Sequence, residues 1–208
     1  MSAKVIVRDS VSPYLTWLKQ EMAKLAHAEI RVGVLGSADG ELLRIARVHE
    51  FGMTITPKTA RNLAIPLKPD MRGKSPRDVE NTWILETDDH HRFIVRDKGS
   101  DGIDFLFMLV PKVVIPERSF IRAGFDHNRS TLESACKDAI LGIVNEQIDA
   151  RAACNQIGIT AAALIQRYMP TVQPPKSQLT LASMPSKTIP LQVTRRLLNA
   201  ITYEVIGL

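Results

Sequence analysis

His49 and Glu50 stand side by side in a stretch of helical periodicity, the arrangement that opens the zinc-protease motif. That motif needs a second histidine three residues after the glutamate, on the same helix face. Position 53 is Met, so the second nitrogen ligand is missing. Asp88-Asp89-His90-His91 offers metal-ligand types in a row, but neighbours on a strand or turn point in different directions. This run reads as a solvated hairpin tip. Gly33 to Gly40 follows a strand-like segment and precedes a helical one, yet it matches neither the dinucleotide nor the Walker spacing. It reads as a tight strand-to-helix turn. No serine sits in a Gly-x-Ser-x-Gly elbow. Cys136 and Cys154 both fall within apolar helical pattern, away from the electropositive setting a nucleophilic thiolate needs. No catalytic constellation, metal set or cofactor site is expected, and the chain reads as a non-enzyme.

Two segments attract attention as contact surfaces instead. Ile115-Pro116-Glu117-Arg118-Ser119-Phe120-Ile121 places a rigid proline before a charged pair and then two large apolar residues. On one reading it is a strand-to-helix corner turned by Pro116 and anchored in the core by Phe120. On the other, Glu117, Arg118 and Phe120 form a preorganised boundary with a neighbouring subunit, since arginine suits bidentate pairing with carboxylates. Between Pro170 and Pro190 the prolines, among them Pro174 and Pro175, are interspersed with Ser, Thr, Gln and Lys. Such composition makes a surface loop, or an arm that orders against a neighbour when it binds.

The elements that must carry these residues are readable from periodicity. Ser12 and Pro13 suit the start of a helix to about Ala26, with Tyr14, Leu15, Leu18, Met22 and Leu25 on one face. Ile30 to Val34 alternates as a strand, ending at Gly36. Asp39 or Ser37 caps a second helix bearing Leu42, Ile45, Ala46 and His49, stopped at Gly52. The middle is β-rich: Thr82 to Leu85, Arg92 to Val95 and Ile103 to Ile115 have strand composition, with hairpin turns at 88–91 and 98–102 and a bend at Pro111. Ser130-Thr131-Leu132-Glu133 has the form of a capping box. The apolar stripe after it continues toward Met169, with Gly158 as a kink or break. On one continuous helix the two cysteines would be about 27 Å apart along the axis and unable to pair. A helical turn near Val193 to Asn199 and a strand at 201–205 close the chain.

These elements predict an α+β fold: an antiparallel or mixed β-sheet flanked by helices, with a long Pro-rich loop or arm before the C-terminal segment. The expected organisation is a core domain over 1–169, the arm over 170–190, and a segment over 191–208 that returns to the core. The 208 residues suffice for one sizeable core, and with aromatics at 5% that core rests on Leu, Ile, Val and Ala. The formal net charge is +5 without a dense basic block, which fits generic surface solvation or weak attraction to DNA. The start of the chain lacks the apolar core of a signal peptide, and the longest apolar run, Phe105 to Val110, is too short to span a membrane. Together with reduced cysteines, this predicts assembly in a cytoplasm without membrane association.

Taken in order, Arg31-Val32-Gly33-Val34-Leu35-Gly36, Ile45-Ala46-Arg47-Val48-His49-Glu50-Phe51-Gly52 and Ile115-Pro116-Glu117-Arg118-Ser119-Phe120-Ile121 resemble a family of tailed-phage virion proteins, variously called tail-completion, neck or minor tail proteins. The family's closing segment is similar to Leu191 through Tyr203, except that Arg195 stands where the family has Gly and Ala200 where it has Ser. The resemblance spans about residues 31–206. It implies an α+β subunit without catalysis or cofactor, assembled into a homo-oligomeric, hexameric ring between capsid connector and tail tube. The implied partners are sister subunits, neck or connector proteins, tail-tube proteins and DNA passing without sequence recognition. The implied location is the virion, reached from the host cytoplasm. Two other classes compete: a DNA-binding or packaging accessory protein acting through its basic surface, and a metal-dependent hydrolase using His49, Glu50, His90 and His91.

Overall fold

The computed structural model describes residues 12–36, 38–178, 181 and 195–208, and its helices and antiparallel strands make an α+β fold. Pro13 opens helix α1 (Pro13–His27) at the position where a missing N–H costs nothing. Strand β1 (Glu29–Val34) leads into α2 (Gly40–Phe51), whose first turn is capped by the Asp39 carboxylate accepting from the Leu42 N–H at 2.8 Å. Next come β2 (Met53–Ile55) and β3 (Leu63–Pro66), then β4 (Thr82–Glu86) and β5 (Arg92–Asp97) as a hairpin. The hairpin tip holds His90 at φ 59° and is closed by the Thr87 and His90 N–H groups.

Pro111 divides the long apolar run into β6 (Ile103–Val110) and β7 (Val113–Ile115). The two strands go to different sheets: β6 joins the four-stranded β3-β6-β5-β4, whereas β7 pairs only with β2. The described strands therefore form separate antiparallel sheets rather than one. The four-stranded sheet has its own core of Met71, Leu106 and Phe107. Asp104, buried in it, pairs with Lys68 and Arg96, and its hydrogen bond from Lys68 holds the carboxyl below its ordinary value.

Helices α3 (Arg122–His127), α4 (Arg129–Val144) and α5 (Ala150–Tyr168) form the other half. The capping box expected at Ser130 is not used. The chain is already helical from Arg122, and Ser130 lies inside α4, where its carbonyl accepts from the Ser134 hydroxyl. The expected continuous helix is broken at 145–149, with Glu146 at φ 57°, and α5 restarts from an Asp149 cap. Cys136 and Cys154 thus sit on two antiparallel helices as free thiols, and burial pushes the Cys154 thiol up.

Gly158 is no kink. It is the seat of Tyr203, and a Cβ there would stand 2.2 Å from the ring. Tyr203 lies on β8 (Ile201–Ile206), which follows the short α6 (Arg196–Asn199) and pairs with β1. Arg195, just before α6, has φ 56°. Glu21 on α1 is buried and accepts from the Ala150 N–H at 2.7 Å, so one helix caps the start of another. No helix among the described residues is long and apolar enough to cross a membrane.

Candidate functional site

The geometry that singles out one region begins at the end of α2. Gly52 has φ 70° and ψ 167°, a conformation essentially restricted to glycine. A Cβ there would lie 2.9 Å from the Glu117 nitrogen and 3.0 Å from the Ile115 carbonyl oxygen. The corner following β7 can therefore lie against α2 only because residue 52 has no side chain. The Arg118 N–H donates to the His49 carbonyl at 2.7 Å, tying the two segments together.

Glu50 completes the junction. Its side chain turns into the protein, where Oε1 accepts from the Ser119 hydroxyl at 2.7 Å, the Arg122 N–H at 3.1 Å and Arg122 Nε at 3.0 Å. Its Oε2 accepts from the Phe120 and Ile121 N–H groups, each at 2.9 Å. These are the N–H groups a helix start leaves without partners, so Glu50 starts α3 from 70 residues away. Burial by itself would raise the Glu50 pKa. The bonds from Ile121, Ser119 and Arg122 outweigh burial and hold the carboxyl below its ordinary value. Arg122 also donates to the Glu50 carbonyl and to Glu117, and its guanidinium lies 4.7 Å over the Phe51 ring.

His49, the other half of the would-be metal pair, has its pKa pushed down to about 4 by burial and by the nearby Arg118 charge. Its Nδ1 is buried without a hydrogen-bond partner. His90 and His91 lie at the β4–β5 hairpin tip, a different part of the fold from α2. Among the described residues no three His, Cys, Asp or Glu side chains group as a metal site.

The structure divides the predicted contact residues. Phe120 is fully buried and Arg118 nearly so, as core anchors of the corner. Arg118 reaches the arm: its Nε and Nη2 donate to the Pro174 and Pro175 carbonyls at 2.7 and 2.9 Å. Met169 and Val172 pack in the same core as Phe120, so the start of the arm is bound to its own chain. Pro174 and Pro175 remain exposed, and Glu117 projects beside Arg122. Most of the remaining arm, including Pro190, lies outside the described residues. Sequence reasoning missed Glu50 as the organiser. The signal was the presence of His-Glu-Phe-Gly and Pro-Glu-Arg-Ser-Phe together, because each segment supplies what the other lacks.

No family model, curated protein or solved structure matches the chain.

What the junction presents outward is apolar. Phe51 and Val114 are each 60% exposed, and Met53 and Ile55 are also open to solvent. All four belong to the β2–β7 ribbon or the helix end feeding it. Met53 and Ile55 lie on one face of the ribbon and Val114, paired with Thr54, on the other. Large exposed side chains on a short ribbon edged by Glu117 and Arg122 have the composition of a protein-contact surface, where aromatics, Met and Arg are enriched.

Proposed function

We propose that the chain is a structural, non-enzymatic virion protein of a tailed bacteriophage. On this reading it is a subunit of a homo-oligomeric, hexameric ring at the head–tail junction or tail end, joining tail to head and letting DNA pass. The observation that carries the reading is the rigid apolar ribbon of β2 and β7, with Phe51 beside it. A ring closes when one patch on each subunit meets a different patch on the next, and rotation completes the circle. Such a patch works best when its shape is set before the partner arrives, because less ordering is lost on binding. The Glu50 junction supplies that rigidity, and it is built from two of the segments that carry the family resemblance.

The test is assembly of a Val114→Asp chain. In the free subunit this exposed substitution should change melting little, whereas a buried unpaired charge in a ring contact should reduce the assembled fraction by at least about tenfold. Assembly equal to that of the unaltered chain counts against the ribbon as a contact. The DNA-binding accessory reading is favoured by the exposed cations Lys58, Arg61, Arg72, Lys74 and Arg77 between β2 and β4. Tight binding with a steep salt slope in a DNA titration would move the assignment there.

A further inference from the structure

An antiparallel sheet with one covered face ordinarily alternates apolar and polar side chains, so that its open face is polar. The four-stranded sheet departs from this, because both of its faces are apolar. Leu85, Phe93, Met108 and Ile65 stand opposite one another across the four strands and so share a face. Trp83, Val95 and Phe105 form the next row on that face. Between the rows β6 carries one extra residue, Leu106, since Ile94 pairs with Phe107 and Val95 with Phe105. Phe93 and Phe105 meet edge to face with ring centroids 5.2 Å apart, so the face continues across the bulge. Ile94 and Phe107 point the other way, into the core with Met71, Leu106 and Val79.

The Phe93 face is open to solvent. Trp83 and Phe105 are 41% and 38% exposed, and Ile103 beside them is 47% exposed. Charge on this face stands only at its ends, at His91 just before β5 and at Asp97, the last residue of β5. An apolar face without charge at its centre has the composition of a lasting contact between copies of one chain, not of a passing encounter. The face measures about 14 by 17 Å, from strands about 4.8 Å apart and about five residues of 3.3 Å each. Matched by a partner, it buries on the order of 1,000 Å² in total, the size at which specific contacts begin.

Resting on the ring reading above, we propose that this face receives the β2–β7 ribbon of the next copy, with Val114 turned onto it. A ring needs two unlike patches on every subunit. The ribbon is the giving patch, and the Trp83–Phe93–Phe105 face is the receiving one. Val114 and its cross-strand partner Thr54 bring no charge onto the apolar surface. Seated there, the ribbon adds a second β layer about 10 Å above the sheet. The two patches belong to one strand pair: β3 pairs with β6, and β6 runs through Pro111 into β7, which pairs with β2. The bend at Pro111 therefore fixes the angle between the patches, and with it the rotation from one subunit to the next.

The experiment measures mass in solution for the unaltered chain, Phe105→Glu, Val114→Asp and an equal mixture of the two variants, with circular dichroism to check each fold. Each variant alone should assemble at least about tenfold less than the unaltered chain, because the contact would bury an unpaired charge. The mixture should form dimers and stop there, since the intact ribbon of the Phe105→Glu chain meets the intact face of the Val114→Asp chain. Phe105→Glu assembling as the unaltered chain does overturns the proposal and leaves the ring reading standing. A mixture that stays monomeric overturns it too, as does a Val114→Asp chain that pairs with itself through its intact face. An unaltered chain that stays monomeric overturns the ring reading itself, and the proposal with it. Should Phe105→Glu lose its fold, Trp83→Glu on β4 takes its place with the same expected results.

Discussion

Replacing Glu50 with glutamine keeps the side chain's shape and removes its charge. The carboxylate accepts five hydrogen bonds and is almost fully buried. An amide oxygen can serve one of the two donor groups, either Ser119 with Arg122 or Phe120 with Ile121, but the amide NH2 must then face the other. At least two donors at the start of α3 lose their partner inside the protein. Each such group costs about 1–3 kcal/mol, and together with the lost charge the loss is about 3–5 kcal/mol. For a chain of this size that lowers Tm by roughly 6–20 °C. Arg122 is half exposed, so its ion pair contributes no more than about 1 kcal/mol of this, and most of the penalty should persist in an Arg122→Ala background. The assay is thermal unfolding by circular dichroism, repeated across pH. Because the folded carboxyl titrates below its ordinary value of 4.5, its stabilisation is complete above that value and is lost as pH falls through the folded pKa. The unaltered and Glu50→Gln chains should therefore converge in acid. A variant melting within about 2 °C of the unaltered chain at pH 7 would refute the reasoning.

Other outcomes follow from the same geometry. Gly52→Ala forces a Cβ against the backbone of Ile115 and Glu117 in a glycine conformation, and should cost about 2–4 kcal/mol in denaturant unfolding. Gly158→Ala should be destabilising by about 1–3 kcal/mol, and adding Tyr203→Ala should remove the clash, giving strong non-additivity in a double-mutant cycle. Arg195→Gly relieves a left-handed arginine and should raise stability by about 0.5–1 kcal/mol. His49, held near a pKa of about 4 by burial and Arg118, is neutral when folded and ready to protonate when unfolded. Its contribution is intact above about 6.5 and erodes as pH falls from there toward 4, so a His49→Gln chain should lose less stability over that window in pH-dependent melts.

Local elements were legible because their causes are local. Pro13 at a helix start, Asp39 three residues before Leu42, the alternation of β4 and β5 and the left-handed stop at Gly52 all act within a few residues of where they are seen. The errors arose where the cause comes from elsewhere in the chain. Helix formation from Arg122 depends on a carboxylate on α2, so Ser130 was misread as a cap. Gly158 was misread as a kink because the ring it accommodates is on β8. The break at 145–149 carries neither glycine nor proline and depends instead on Glu146 taking a left-handed conformation and on Asp149 capping the next helix. Glu50 itself was weighed only as half of a metal motif, since its donors at 119–122 are invisible to a local reading. The corner at Pro116 was legible, as was its anchor Phe120. Arg118's hold on the arm was not.

The central claim, that this chain acts by assembling with copies of itself, is tested most directly by single-particle imaging of the purified protein together with its mass in solution. The account predicts closed rings with a mass about six times the 23.1 kDa subunit. A protein that stays monomeric at high concentration, carries a bound metal and shows turnover that vanishes on replacing its ligands would contradict it.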